Sequence, residues 1–146
     1  MSKSALKFLQ AFIKEMVDLG GENLPRTISA KLGANLGRIY RKRGITEIES
    51  GLNQSFKVLK TKYRIEKKSD TLYEIEVKYR RKFCAIGGKF DKKRKGLIQK
   101  AICVPYYLGF LNELDSTYTY KINMHSCVVS DNTHFCKYSL LLTKQE

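Results

Sequence analysis

The chain has 146 residues, 42% of them hydrophobic and 29% charged, which suits a single domain (residues 1–146) with its own core and excludes a disordered tail. No apolar run approaches the roughly 20 residues that span a bilayer, so a membrane span is excluded as well. Lys and Arg outnumber Asp and Glu by 28 to 14, and the formal charge of +14 points toward an anionic partner: nucleic acid, an acidic protein or an anionic membrane surface.

The start, "MSKSALKFLQAFIKEMVDLGG", places Leu6, Leu9, Ile13, Met16 and Val17 on one face of a helix from about Ser4 to Leu19, with Gly20-Gly21 as its stop. Glu15 and Asp18 lie within it and no small-residue cleavage site follows. It reads as an amphipathic helix rather than a signal peptide, and a cytoplasmic location is the default expectation. Pro25 suits the first turn of a second helix that runs to Gly44, with an apolar stripe of Ile28, Leu32, Leu36 and Ile39. Ala30, Gly33, Ala34 and Gly37 are small, and glycine inside a helix is costly, so close packing or a ligand is expected there. "TEIE", Thr46 to Glu49, has the form of a capping box opening a third helix with Ile48, Leu52, Phe56 and Leu59.

The period then changes. Tyr73, Ile75, Val77 and Tyr79 alternate with charged residues, and "KSDT" is a turn, so a hairpin with one wet face is expected. "AIGGKFDKKRKG" is a basic loop. "LIQKAICVPYYLGFLNEL" returns to helical spacing, and Pro105 must start a helix or kink one. "TYTYKINMHSCVV" and "THFCKYSLLLT" are two further strands. The sum is an α+β domain: an antiparallel sheet of about four strands packed by about four helices.

Cysteines stand at 84, 103, 127 and 136. In a reducing compartment clustered cysteines mark a metal or redox site more often than a disulfide. If Asp131-Asn132 is a two-residue turn, Cys127 faces Cys136, and His125 and His134 lie on the same faces as the cysteines two residues on. The apolar side of the first strand, Tyr118 to Met124, is opposite to the cysteines, so either a bulge switches the face near Met124 or the cysteines leave the main core. Cys103, at the start of the helix "PYYLGFLNEL", is the natural third thiol, and a helix N-terminus would favour its thiolate. Three cysteines and a histidine suit a closed tetrahedral zinc site, with iron as the alternative metal; simple packing and a disulfide remain open. Cys84, beside the basic loop, reads as packing.

"AICVPYYLGFLNEL" followed by "HSCVVSDNTHFCKYSL" resembles the 4-vinyl-reductase domain family. Cys103 with Gly109, then Cys127 and Cys136, occupy the family's places, and "RTISAKLGANLGRIYRKRG" is similar to the family's glycine-bearing opening helix. The resemblance implies an α+β domain shared with subunits of the vesicle-tethering transport-protein particle, a homodimer through the helical layer, and cysteines that hold zinc beside an apolar ligand pocket. Relatives supply a carboxylate as fourth zinc ligand. Here "INMHSC" has no acid, so His125 is the substitute and His134 its competitor; the family's turn glycine is also replaced, by "VVSDN".

The leading expectation is therefore a small-molecule binding or sensor domain with a structural zinc at Cys103, His125, Cys127 and Cys136. Its apolar ligand would enter past Tyr40, Tyr106, Tyr107 and Phe110, and its signal would pass to a regulatory protein partner. The alternative is non-specific nucleic-acid or anionic-partner binding, because residues 56–100 hold sixteen Lys and Arg against five Asp and Glu. No nucleotide loop, H-E-x-x-H or nucleophile elbow is present, so an enzyme, including a reductase, is not expected.

Overall fold

Alternation of apolar and charged residues becomes two antiparallel hairpins in the computed structural model, which describes residues 3–59, 61–84, 88–94 and 96–146, apart from the side chains of Lys3, Leu6 and Arg81. Strands β1 (Lys62–Ser69) and β2 (Leu72–Lys78) form the first hairpin; β3 (Tyr118–Ser126) and β4 (Phe135–Lys144) form the second. The pairing of β2 with β4, Ile75 opposite Tyr138 and Val77 opposite Cys136, joins them into one sheet of order β1-β2-β4-β3. Helices α1 (Lys3–Gly20), α2 (Asn23–Lys42), α3 (Ile48–Val58) and α4 (Val104–Leu114), with a one-turn α5 (Val128–Asp131), complete the α+β architecture. Among the described residues no helix is long and apolar enough to cross a membrane. The stripe residue Leu6 and residues 85–87 and 95 of the basic loop fall, in side chain or in whole, outside the description.

The main core lies between the sheet's inner face and the helices. Leu52 and Phe56 of α3 and Phe110, Leu111 and Leu114 of α4 meet Ile75, Val77, Tyr138 and Leu140. Each such side chain contributes about 1.5–3 kcal/mol by leaving water. Tyr73, Ile75 and Val77 are buried on one face of β2, as their alternation requires, while Glu74 and Glu76 face out.

On α2 the core goes to the small residues. Pro25, Ser29, Gly33, Gly37 and Tyr40 are buried, whereas Ile28, Leu32 and Ile39 of the apolar stripe are exposed and Leu36 is only partly buried. The reason is the approach of two backbones: a Cβ on Gly33 would strike the Tyr106 carbonyl, and one on Gly109 would strike the Ala30 carbonyl. Close packing, not a ligand, explains these glycines. The capping box does not form, because α3 begins one residue later than it requires: Glu47 is the N-cap and makes no side-chain cap bond. Leu59 follows the helix and is half exposed.

Candidate functional site

Pro105 neither starts a fresh helix nor simply kinks one. The chain is already helical before it, and Gln99–Cys103 form a wide π-type turn that runs directly into α4. Pro105 has no N–H for an i−4 carbonyl, and the widened turn absorbs that loss, with the Val104 N–H reaching the Gln99 carbonyl. Cys103 therefore sits inside a continuous helical path rather than at an open N-terminus. The expected activation of its thiol is reversed. Burial, with smaller contributions from Cys84, Cys136 and Cys127, pushes the thiol well above its ordinary pKa.

The β3–β4 hairpin does contain the bulge. Met124 pairs with Tyr138 but Ser126 pairs with Lys137, so the register slips by one around His125. The two-residue turn does not form. Residues Val128–Asp131 make one helical turn instead, closed by reciprocal bonds: the Cys127 N–H donates to the Asp131 carboxylate at 2.8 Å, and the Asp131 N–H donates to the Cys127 carbonyl at 2.8 Å. Asn132 ends the turn at φ +52°, a left-handed conformation that asparagine tolerates without glycine. The Ser130 hydroxyl accepts the Gly96 N–H at 2.9 Å and ties the basic loop to this turn.

These departures bring all four cysteines to one apolar chamber. Cys84, Cys103, Cys127 and Cys136 line it with Tyr79, Tyr107 and Tyr138, and with Val77, Ile98, Val104, Ile122 and Met124. It lies where the main core meets a second cluster built from Ile13, Cys84, Ile98, Ala101, Ile102, Cys127, Val128 and Val129. The free volume is about 40 Å³, enough for water, which needs at least about 10–15 Å³ of cavity. All four cysteines are free thiols. Cys136 is pushed up to about 12 by burial first and by Cys127 and Cys84 next, so at neutral pH it is an uncharged, soft lining group. The Tyr138 hydroxyl is fully enclosed and makes no well-formed hydrogen bond among the described residues; its polar neighbour is the Tyr107 phenol. Burial raises the pKa of both phenols.

His125 is not part of this chamber. Because the slip occurs at His125, residues 125 and 127 no longer share a face, and His125 points to the outer side of the sheet. There its Nε2 hydrogen-bonds the Ser139 hydroxyl, which donates onward to the Glu74 carboxylate at 2.9 and 3.0 Å. His134 lies exposed before β4, with its carbonyl accepting the Tyr79 N–H at 2.8 Å. The donor set Cys103, His125, Cys127 and Cys136 is therefore not brought together. Among the described residues no three His, Cys, Asp or Glu side chains are grouped to hold a metal ion.

Of the aromatic residues expected around a ligand, Tyr107 lines the chamber. Tyr106 packs edge-on against it with ring centres 5.6 Å apart. Tyr40 and Phe110 belong to the main core, edge to face at 5.5 Å. Cys84, Tyr79 and Tyr138 were missed as lining residues. Cys84 reaches the chamber through a bridge between Cys84 and Gly88 inside the basic loop, and no local pattern announces that.

No family model matches the chain, and no curated protein matches it. Among solved structures it is similar to the crystal structure of a trafficking protein particle complex subunit 3 from Naegleria fowleri covalently bound to palmitic acid. The TM-score is 0.66 at 12% identity, over 97% of this chain and 96% of that one. The fold is that of a trafficking protein particle subunit. The likeness at this identity is one of fold, and it agrees with the expected relation to vesicle-tethering subunits; membership of the 4-vinyl-reductase family is not shown by it.

Proposed function

We propose that this chain is a non-catalytic binding module for an apolar, acyl-like ligand, held reversibly in the thiol-lined chamber between its two cores. The observation that carries the reading is the chamber itself: four free thiols, hydrocarbon walls, and an enclosed Tyr138 hydroxyl with no well-formed hydrogen bond among the described residues. Such a group costs about 1–3 kcal/mol when buried unsatisfied, and a ligand or water oxygen would relieve it. The fold likeness to a subunit bound to palmitic acid supports the same ligand class. At about 40 Å³ the closed chamber does not admit a long chain, so entry requires side chains to swing aside, and Met124 is the adaptable one. Burial keeps Cys103 and Cys136 protonated and slow as nucleophiles, which favours non-covalent binding. Native mass spectrometry after incubation with dodecanoate tests this. One chain bound per protein, lost on organic extraction and weakened by Cys136→Phe, is expected; no bound species, or an adduct that only hydroxylamine removes, would overturn it.

A second reading rests on the same four residues. Rotation of Cys84, Cys103, Cys127 and Cys136 onto one point would make an all-thiolate zinc or iron site, with Cys84 in the place that His125 does not fill. Near one zinc or iron per chain in purified protein would favour it.

For partners, the exposed apolar face of α1 and α2 suits a second copy of this chain. Phe8 is 72% exposed, Leu32 and Phe12 56% each, and Leu24 50%, which is unusual for a monomer surface. Sedimentation should show a dimer that Phe12→Lys with Leu32→Lys dissociates. Any regulatory signal would then pass through such a contact to another protein. The basic loop, with Lys89, Lys92, Lys93 and Arg94, supports salt-sensitive binding of polyanions, nucleic acid included, in addition.

A further inference from the structure

Beside the thiol-lined chamber lies an open depression of about 500 Å³, and the two share three wall residues: Val104, Ile122 and Met124. The rest of the depression is polar. Arg26 comes from the start of α2, Gln99 and Lys100 from the π-type turn, and Asn123 from β3. One side of the shared wall is therefore thiol and hydrocarbon, and the other carries two cations facing water. No carboxylate lines the depression among the described residues. Arg26 holds Glu22 at 3.2 Å, but both side chains are nearly half exposed, so the pair is weak and exchangeable. Lys100 is exposed and has no ion pair among the described residues.

This arrangement has a consequence for ligand class, and it rests on the reading of the chamber as a ligand site. A wholly apolar ligand would gain nothing from Arg26 and Lys100. An amphiphile whose chain passes between Val104 and Met124 would leave its head between those two cations, where a guanidinium offers paired donors and an ammonium a compact charge. Met124 is unbranched and flexible, so the shared wall opens at little cost. We propose that the ligand is an anionic amphiphile, with its hydrocarbon in the thiol-lined chamber and its carboxylate or phosphate head held by Arg26 and Lys100. The head also sets direction: the chain enters tail first, and the charged end remains accessible to a membrane or a partner protein.

Displacement of a neutral fluorescent dye, Nile red, from the full chain tests this with dodecanoate, dodecyl phosphate and methyl dodecanoate. At low salt the two anions should displace the dye at about tenfold lower concentration than the ester, the gain expected of two partly exposed charge contacts. Arg26→Gln with Lys100→Gln should erase that preference and leave the ester unchanged. Lys92→Gln with Lys93→Gln, equal in charge but in the basic loop, should preserve it. Acetate and inorganic phosphate should not displace the dye at the same concentrations, because the chain supplies the affinity. Equal displacement by ester and anions in the unaltered protein, or a preference that falls equally in both double variants, would overturn the head-group site while leaving the chamber reading intact. Displacement by inorganic phosphate as strong as by dodecyl phosphate would overturn it in favour of a free-anion site. Failure of every chain, ester included, to displace the dye would overturn the chamber reading and this one with it. Both double variants alter exposed side chains, and an unchanged thermal midpoint would verify that each is folded.

Discussion

The crossing of α2 over α4 and the cysteine end of the sheet are built in opposite ways from similarly unpromising residues. At the crossing, glycine removes side chains altogether, so backbone rests on backbone and no space remains. At the cysteine end, side chains from β2, β3, β4, the π-type turn and the basic loop only just meet, and they leave a slot holding a phenol that has no well-formed hydrogen bond among the described residues. The difference separates scaffold from site. A contact with no slack resists any added atom, whereas a contact with slack and an unsatisfied donor can accept a ligand by small rotations.

The contrast can be broken by experiment, and the largest effect belongs to the crossing. Gly33→Val would drive its side chain into the Tyr106 carbonyl and should cost about 3 kcal/mol or abolish folding; urea denaturation of a variant as stable as the parent would mean that the helices do not approach so closely. The next effect has the opposite sign and belongs to the chamber. Tyr138→Phe removes a buried hydroxyl that has no well-formed partner among the described residues, so the free protein should gain up to about 1 kcal/mol while losing affinity for dodecanoate. A loss of stability would show that the hydroxyl is already satisfied. The third effect appears only in alkali. Cys136 stays protonated in the fold up to about 12, whereas an unfolded thiol titrates near 8.5. The unfolded chain therefore releases its proton first as pH rises, so stability is full below about pH 8.5 and declines between there and about 12. Thermal melts across that range should fall less steeply for Cys136→Ala; an identical slope would place the thiol in contact with water.

Much of the fold was legible because it is written in local periods. Tyr73, Ile75 and Val77 alternate and are buried together; Ile48, Leu52 and Phe56 recur at helical spacing and are buried together. Hydrophobic spacing failed on α2, where Ile28, Leu32 and Ile39 form the better stripe yet lie exposed. There the closeness that glycine allows outweighed apolar area. The site was legible only in its ingredients. Cys103, Cys127 and Cys136 are legible together, and they do line one chamber; His125 enters the set as the substitute for the missing acid, two residues before Cys127. One slipped register turned Cys127 inward and left His125 on the outer face of the sheet, beside Ser139 and Glu74.

By itself the sequence determined the α+β class, the two hairpins, the small-residue face of α2 and the identity of three chamber thiols, because each depends on residues within a few positions of one another. Only the tertiary structure decided that the glycine face and not the leucine face of α2 is buried, that Cys84 joins the other three cysteines, that the Tyr138 hydroxyl is enclosed with no well-formed hydrogen bond among the described residues, and that Arg26 and Lys100 flank the chamber's outer wall. Those outcomes depend on which backbone comes within contact distance of which. A single bulge at His125 and a widened turn before Pro105 set that, and neither carries a periodic signal of its own.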